Sequence, residues 1–155
     1  FYTQFKYKGF ALGAEFSYSK GNMAYNAVRN QLEGMNTLGN QSIAVLNRWS
    51  LDGQVTDMPR VQHNDPYRST SFSERWLEDA SYLRMKSVTL SYSFDKTVLN
   101  FFRSGTLYVS GENLLTATKY LGLDPEYSYS ETSQGLDYAK MVQPKSVKFG
   151  VNLKF

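Results

Sequence analysis

The sequence predicts an all-β chain whose strands form part of the wall of a membrane-spanning β-barrel. Three observations carry that expectation. Five segments alternate apolar and polar residues with period two, the segments reach the length of a membrane-crossing strand, and the links between them alternate short and long. Side chains of a strand point to opposite faces in turn, so each segment has one oily face and one polar face. The last segment is the clearest. Val147, Phe149, Val151, Leu153 and Phe155 point one way, and Ser146, Lys148, Gly150, Asn152 and Lys154 point the other. A closing aromatic on such a strand suits the rim of a membrane barrel.

The first strand, expected over 1–7, sets Phe1, Thr3, Phe5 and Tyr7 against Tyr2, Gln4, Lys6 and Lys8. The alternation restarts after Lys8-Gly9, a pair suited to a tight hairpin because glycine accepts positive φ. The second strand, 10–20, places Phe10, Leu12, Ala14, Phe16 and Tyr18 opposite Ala11, Gly13, Glu15, Ser17 and Ser19. A long connection, 21–81, follows. Ala27, Val28, Leu32 and Met35 lie at helical spacing, and Ile43, Leu46 and Asn47 less cleanly. Short helices are therefore expected around 27–35 and 41–49, with Gly34 and Gly39 as breaks. Residues 50–73, rich in Asp, Ser, Gln, Pro and Thr, read as an ordered but irregular surface loop. The third strand, 82–95, sets Val88, Leu90, Tyr92 and Phe94 against Ser87, Thr89, Ser91 and Ser93. In the fourth, 105–119, Leu107, Val109, Gly111, Leu115 and Ala117 share a face, and Asn113 interrupts their row. A second long connection, 120–142, leads to the fifth strand, 143–155.

Every charge inside the alternating stretches (Lys6, Lys8, Glu15, Glu112, Lys148 and Lys154) falls on the polar face. A Lys or Arg facing lipid near the bilayer midplane costs about 2–4 kcal/mol, so a barrel must enforce this segregation. A soluble sheet over a core would show it too, and strand length and connections separate the two. Strands of about ten residues suit a tilted membrane crossing, against about five to six in soluble proteins. The short links, 8–9 and 95–105, fall at one end and the long ones at the other, as periplasmic turns and extracellular loops do. Five strands cannot close a membrane barrel, of which the smallest has about eight. The chain is accordingly expected to be the C-terminal portion of a larger barrel, whose remaining strands pair its edges.

Composition narrows the function. The 155 residues are 41% apolar, yet no stretch offers the ~18 unbroken apolar residues of a membrane helix. Twelve Tyr, ten Phe and two Trp favour strands and membrane interfaces. A net charge of +3, scattered along the chain, argues against a nucleic-acid partner. With no cysteine, disulfides and thiolate metal sites are excluded. Residue 1 is Phe, not Met, so the beginning reads as a cut and the missing targeting signal says nothing about location. His63, alone beside Asp57 and Asp65, reads as a solvated loop residue. Glu74, Glu78 and Asp79 define no acid/base pair, and there is no phosphate-binding glycine loop or nucleophile–base constellation. No catalytic residue, metal or cofactor is expected. Two rivals stand beside a transport barrel: a soluble carbohydrate-binding β-sheet domain, and a passive porin or structural outer-membrane barrel.

Four stretches resemble one family. They are Asn40-Gln-Ser-Ile-Ala-Val-Leu-Asn-Arg-Trp49; Ser73-Glu-Arg-Trp-Leu-Glu-Asp-Ala-Ser-Tyr-Leu-Arg-Met-Lys-Ser-Val-Thr-Leu-Ser-Tyr92; Tyr108-Val-Ser-Gly-Glu-Asn-Leu-Leu-Thr-Ala-Thr-Lys-Tyr120 with Gly122 to Glu126; and Gln143-Pro-Lys-Ser-Val-Lys-Phe-Gly-Val-Asn-Leu-Lys-Phe155. Together they resemble the end of a SusC/RagA-type TonB-linked outer-membrane receptor of the Bacteroidetes. The resemblance implies a 22-stranded barrel filled by an N-terminal plug domain that lies upstream of this chain, as do the TonB box and signal peptide. It further implies a SusD-like surface lipoprotein as lid, TonB as energy source, import of glycan oligosaccharides or peptides, and a dimer of transporter–lipoprotein pairs. Val147, Phe149, Val151, Leu153 and Phe155 resemble the C-terminal signal for barrel assembly. Tyr18, Tyr92, Phe94, Phe101, Phe102 and Tyr120 are the candidates for aromatic girdles at the membrane rims. Arg48, Trp49, Arg75 and Trp76, in or beside the long outer loop, either stack on a sugar ring or hold a peptide carboxylate, or else pack the loop against the barrel or the lipoprotein.

Overall fold

A computed structural model describes residues 1–95, 103–126, 130 and 132–154. In chain order the strands and helix are β1 (Tyr2–Tyr7), β2 (Phe10–Ser19), β3 (Met23–Asn26), α1 (Ala27–Glu33), β4 (Leu77–Asp79), β5 (Tyr82–Asp95), β6 (Ser104–Thr118), β7 (Leu136–Asp137) and β8 (Ser146–Lys154). Single 3-10 turns occupy Ile43–Asn47 and Glu74–Trp76. The chain divides into two compact units. Residues 1–20, 81–118 and 143–155 form a sheet unit, and 21–80 with 119–142 form a second, which holds the two long connections.

The sheet unit is one five-stranded sheet in the order β1-β2-β5-β6-β8, antiparallel at every neighbour. Lys8 and Gly9, with φ of +44° and +87°, make the two-residue turn from β1 to β2. Positive φ at both central positions is the hairpin turn whose twist matches its strands. A Cβ at Gly9 would stand 2.7 Å from the Ser93 carbonyl oxygen, so both the backbone angle and the space disfavour a side chain here. Lys8, expected in the polar row, instead sits in the turn with its ammonium 5.3 Å from the centre of the Tyr7 ring.

The sheet carries two bulges side by side. Glu15 pairs with Ser87 and Phe16 with Met85, which leaves Lys86 as an extra residue on β5. Across the sheet, Ser87 pairs with Glu112 and Met85 with Leu115, so Asn113 and Leu114 lie opposite Lys86. Asn113 takes φ +52°, a conformation asparagine tolerates better than most residues. An inserted residue restores facing after a break in alternation. The apolar row of β5 thus passes from Val88 to Met85 and Leu83 without turning inward, and the interruption noted at Asn113 is where that happens.

The second unit has an architecture that neither connection announced. β3 lies between β4, antiparallel, and β7, parallel. Strands of two to four residues are too short for a period-two signal, and the β3–β7 pair joins segments over a hundred positions apart. The expected helix near 27–35 is α1, capped by the Asn26 side chain, which accepts the Arg29 N–H at 2.9 Å. The one expected near 41–49 is the 3-10 turn. Two small apolar clusters, Ala24 with Ala80 and Tyr120, and Met35 with Val45 and Met58, are buried in this unit. Between 50 and 73 the backbone is irregular but held: the Asp65 carboxylate accepts the backbone N–H groups of Ser69 and Thr70 at 2.6 and 2.8 Å and both their hydroxyls.

Candidate functional site

One face of the five-stranded sheet presents a continuous surface that is almost wholly apolar. Along β5 its rows run from Phe94, beside Gly105, through Tyr92, Leu90, Val88 and Met85 to Leu83, beside Ala117. β2 adds Phe10, Leu12, Ala14, Phe16 and Tyr18 to successive rows, and β8 adds Val147 to Leu153. Phe149 is 81% exposed, and Val147 and Val151 58% each. Phe5, Leu12, Leu90 and Leu107 are exposed as well. A contiguous apolar surface of this extent marks contact with a partner or a membrane.

The dimensions favour a membrane. Six rows along β5 are five steps of about 6.8 Å, or about 34 Å along the strand, which spans about 26 Å of thickness at a tilt of ~40°. The apolar band of an outer-membrane barrel is about 25 Å tall. The band also slips across the hydrogen-bonded rows. On β2 it runs from Phe10 to Tyr18, opposite Tyr92 to Leu83. On β8 it runs from Leu153, opposite Gly105, only up to Val147, opposite Gly111. Strands that cross a slab obliquely produce such an offset.

Residues at the two ends of the band differ from those in its middle. At the turn end Phe10 packs on Tyr92 at 4.6 Å between ring centres, and Tyr92 on Phe94 at 6.5 Å. At the other end Phe1 and Phe16 pair at 6.1 Å, and Tyr18 is 74% exposed. Aliphatic residues fill most of the middle.

The reverse face is polar, and several of its groups bond to one another. Lys148 donates to Glu112 Oε1 at 2.5 Å, and the Ser146 hydroxyl donates to Glu112 Oε2 at 3.0 Å. Arg84 Nε donates to the Thr116 hydroxyl at 3.1 Å, with its guanidinium over the Tyr82 ring. Charges and polar groups meet each other along this face, which suits a surface turned toward water and protein.

In the second unit the polar side chains converge on Glu78. Its Oε1 accepts from Arg29 Nη1 at 3.0 Å and Asn26 Nδ2 at 3.3 Å, and its Oε2 accepts the Leu121 N–H at 3.0 Å. Arg29 also donates to Glu33 at 2.8 Å. Burial pulls the Arg29 pKa down, but the bonds to Glu78 and Glu33 more than reverse it, so the guanidinium stays charged. Glu78 thereby ties the first long connection to the second. Beside it the Tyr120 hydroxyl donates to Asp137 Oδ2 at 2.7 Å. Burial, followed by that bond, raises the tyrosine pKa and keeps it the donor. Gly122 lies against the pair: a Cβ there would come within 2.5 Å of Asp137 Oδ2.

No protein-family model matches the chain. Individual proteins do. TonB-dependent receptor P3 of Formosa agariphila is 32% identical over 164 aligned residues, covering all of this chain and 16% of the receptor. TonB-dependent receptor SusC of Bacteroides thetaiotaomicron is 31% identical over 86 residues, 54% of this chain and 8% of its own length. Among solved structures, the RagAB peptide importer in its closed-closed state superposes with a TM-score of 0.79 at 30% identity, over 96% of this chain and 16% of that one. The chain belongs to the TonB-dependent receptors of the SusC/RagA type. It spans about a sixth of the length of the relatives it matches end to end. Its fold is a fragment of a TonB-dependent transporter barrel, and its location is the outer membrane.

Against this receptor fold the sequence-predicted residues fall into groups. Val147, Phe149, Val151 and Leu153 share the outward face of β8. Tyr18, Tyr92 and Phe94 stand at the ends of the outward band. Tyr120 does not: it is 6% exposed in the second unit, two residues beyond β6, where its hydroxyl has Asp137. That corrects its expected place in a girdle, because a tyrosine buried with a partner is packing, not a rim anchor. Phe101, Phe102 and Phe155 lie outside the described residues. Trp76 is 1% exposed, with the guanidinium groups of Arg75 and Arg29 at 5.0 and 5.8 Å from its ring. Arg75 also donates to the Asp57 carbonyl at 2.6 Å. The Trp76 ring is therefore interior packing and not a platform for a sugar. Arg48 donates to the Val45 carbonyl at 3.3 Å, and the Trp49 N–H donates to that of Met58 at 3.0 Å; both are half-buried. Sequence reasoning assigned no role to Glu78, Arg29 or Asp137. The available signal was a carboxylate held directly between Leu77 and Asp79 next to a tryptophan, in a stretch already singled out.

Proposed function

We propose that this chain forms barrel wall and outer loops of an active importer of the SusC type, driven by TonB and paired with a SusD-like surface lipoprotein. The outward face of β1, β2, β5, β6 and β8 meets acyl chains, the polar reverse face lines the lumen, and the second unit lies outside the cell. TonB acts on a plug domain upstream of this segment. The cargo is a glycan oligosaccharide or a peptide, and two transporter–lipoprotein pairs associate as a dimer. Val147, Phe149, Val151, Leu153 and Phe155 serve as the assembly signal. Tyr18, Tyr92 and Phe94 anchor the rims, and Arg48 and Trp49 are the outer-loop candidates for contact with cargo or lid. The chain itself makes and breaks no bonds and holds no cofactor.

The observation that supports this reading most is the uncharged outward band, about 26 Å tall at barrel tilt, on a chain about 30% identical to the RagAB importer. Deleting Phe155 in the full-length protein should cut the amount of folded barrel in the outer membrane; normal levels would count against the assembly role. Uptake by the full-length protein should stop when TonB is removed. Uptake that persists without TonB points to a passive porin.

A further inference from the structure

The sheet unit holds three acidic residues, Glu15, Asp95 and Glu112, and all three stand in polar-face rows. The charges next beyond the outward rows are of the other sign. Lys20 comes directly after β2, two positions past Tyr18, and Lys145 directly before β8, two positions ahead of Val147, so each prolongs an outward row in sequence. Both are exposed, and both stand where a strand meets a long connection. At the opposite end Arg103 directly precedes β6, two positions before Gly105, and the Lys8 ammonium lies over the Tyr7 ring. An apolar band edged, among the described residues, by cations, with the sheet's acids on the other face, is complementary to a layer that is apolar in its middle and anionic at its surface.

We propose that the outward face is a docking surface for phosphate-bearing glycolipid of the outer leaflet. Acyl chains lie along the rows of Leu12, Leu90, Val109 and Phe149, while Lys20 and Lys145 each meet a headgroup phosphate. The lysine stems reach from the apolar edge to the charged layer, as long basic side chains do at membrane interfaces. The proposal rests on the outer-membrane reading above, with the long connections outside.

The test uses the full-length receptor in neutral detergent, with binding of bis-phosphorylated lipid A and of its dephosphorylated form measured by native mass spectrometry. The phosphorylated form should bind more tightly. Lys20→Gln with Lys145→Gln should weaken it about tenfold or more, and Lys20→Arg with Lys145→Arg should preserve it. Equal binding of the two lipid forms by the wild type, or an unchanged affinity in the glutamine variant, overturns the proposal. Heat-modifiable gel mobility reports barrel assembly separately: failure there in the wild type strikes the barrel reading. If only the glutamine variant fails to assemble, the comparison of the two lipid forms on the wild type decides.

Discussion

The two units bury opposite things. In the sheet unit the largest apolar side chains, such as Phe149, face outward, and the serines, threonines and ion pairs share the other face. In the second unit Trp76, Tyr120, Met35 and Met58 are interior. Charge divides the same way. The sheet unit carries ten basic and three acidic residues, and the second unit seven basic and eleven acidic. The proposed function assigns the two units to two solvents. Where the solvent is hydrocarbon, backbone pairing must be complete within the wall and side chains need only be oily. Where it is water, a unit this small needs a tryptophan, short strands and a carboxylate hub to hold its connections in place.

Substitutions that reverse the rule of each unit should be the most damaging. Leu90→Arg, in the middle of the outward band, should cost about 2–4 kcal/mol of barrel stability and deplete the receptor from the outer membrane. Thr89→Arg, one residue away on the polar face, should leave folded levels near wild type. Urea titration of the full-length protein, followed by heat-modifiable mobility, reads both. Equal damage from the two would erase the distinction between the faces.

In the second unit the order of effects follows burial. Trp76→Ala removes its largest interior side chain and should cost about 3–5 kcal/mol, opening the outer connections to hydrogen exchange while β5 and β6 stay protected. Glu78→Ala strips Arg29 of one of its two carboxylates and leaves the Leu121 N–H without its acceptor, at a cost of about 2–3 kcal/mol. Limited trypsin digestion should then cut at Lys119 and Lys140 sooner than in the wild type. Back in the sheet unit, Gly9→Ala in the β1–β2 turn should be milder, about 1–2 kcal/mol, read as a lowered folding midpoint.

A smaller effect is expected with pH. Burial nudges the Asp65 carboxyl upward, but the bonds from Thr70 and Ser69 outweigh it and hold the pKa at about 2. A carboxylate with a lowered folded-state pKa stabilises above its ordinary range and loses that contribution as pH falls through the folded value. Ordering of the 65–70 turn should therefore hold at pH 4 and fade toward pH 2. Because the group is close to water, the change should be confined to that turn. Amide shifts of Ser69 and Thr70 that track a midpoint near 4 would show that the bonds are not kept in solution.

How much of this was legible in the sequence depended on which solvent shaped the segment. Lipid imposes a strict alternation, and the strands from Phe10 to Ser19 and from Ser146 onward could be read with their facing and nearly with their ends. Even the bulge left a trace, since Asn113 broke an otherwise clean row. The second unit has no such regularity. Its two-residue strand at Leu136–Asp137 pairs with a segment far away in sequence, and a buried Tyr120 looks like any tyrosine near a strand end. Trp76 and its neighbouring arginines suggested ligand stacking, because aromatic–arginine adjacency reads alike in a binding loop and in a small core. Only burial separates them.

The central claim is that the outward rows touch acyl chains. Spin labels placed one at a time from Val147 to Leu153 in the full-length receptor, reconstituted in bilayers, test it most directly. Labels at Val147, Phe149, Val151 and Leu153 should be relaxed by oxygen, which partitions into lipid, and those at Lys148, Gly150 and Asn152 should not. A series in which positions 149 and 151 are shielded from oxygen, or in which odd and even positions respond alike, would contradict a lipid-facing wall.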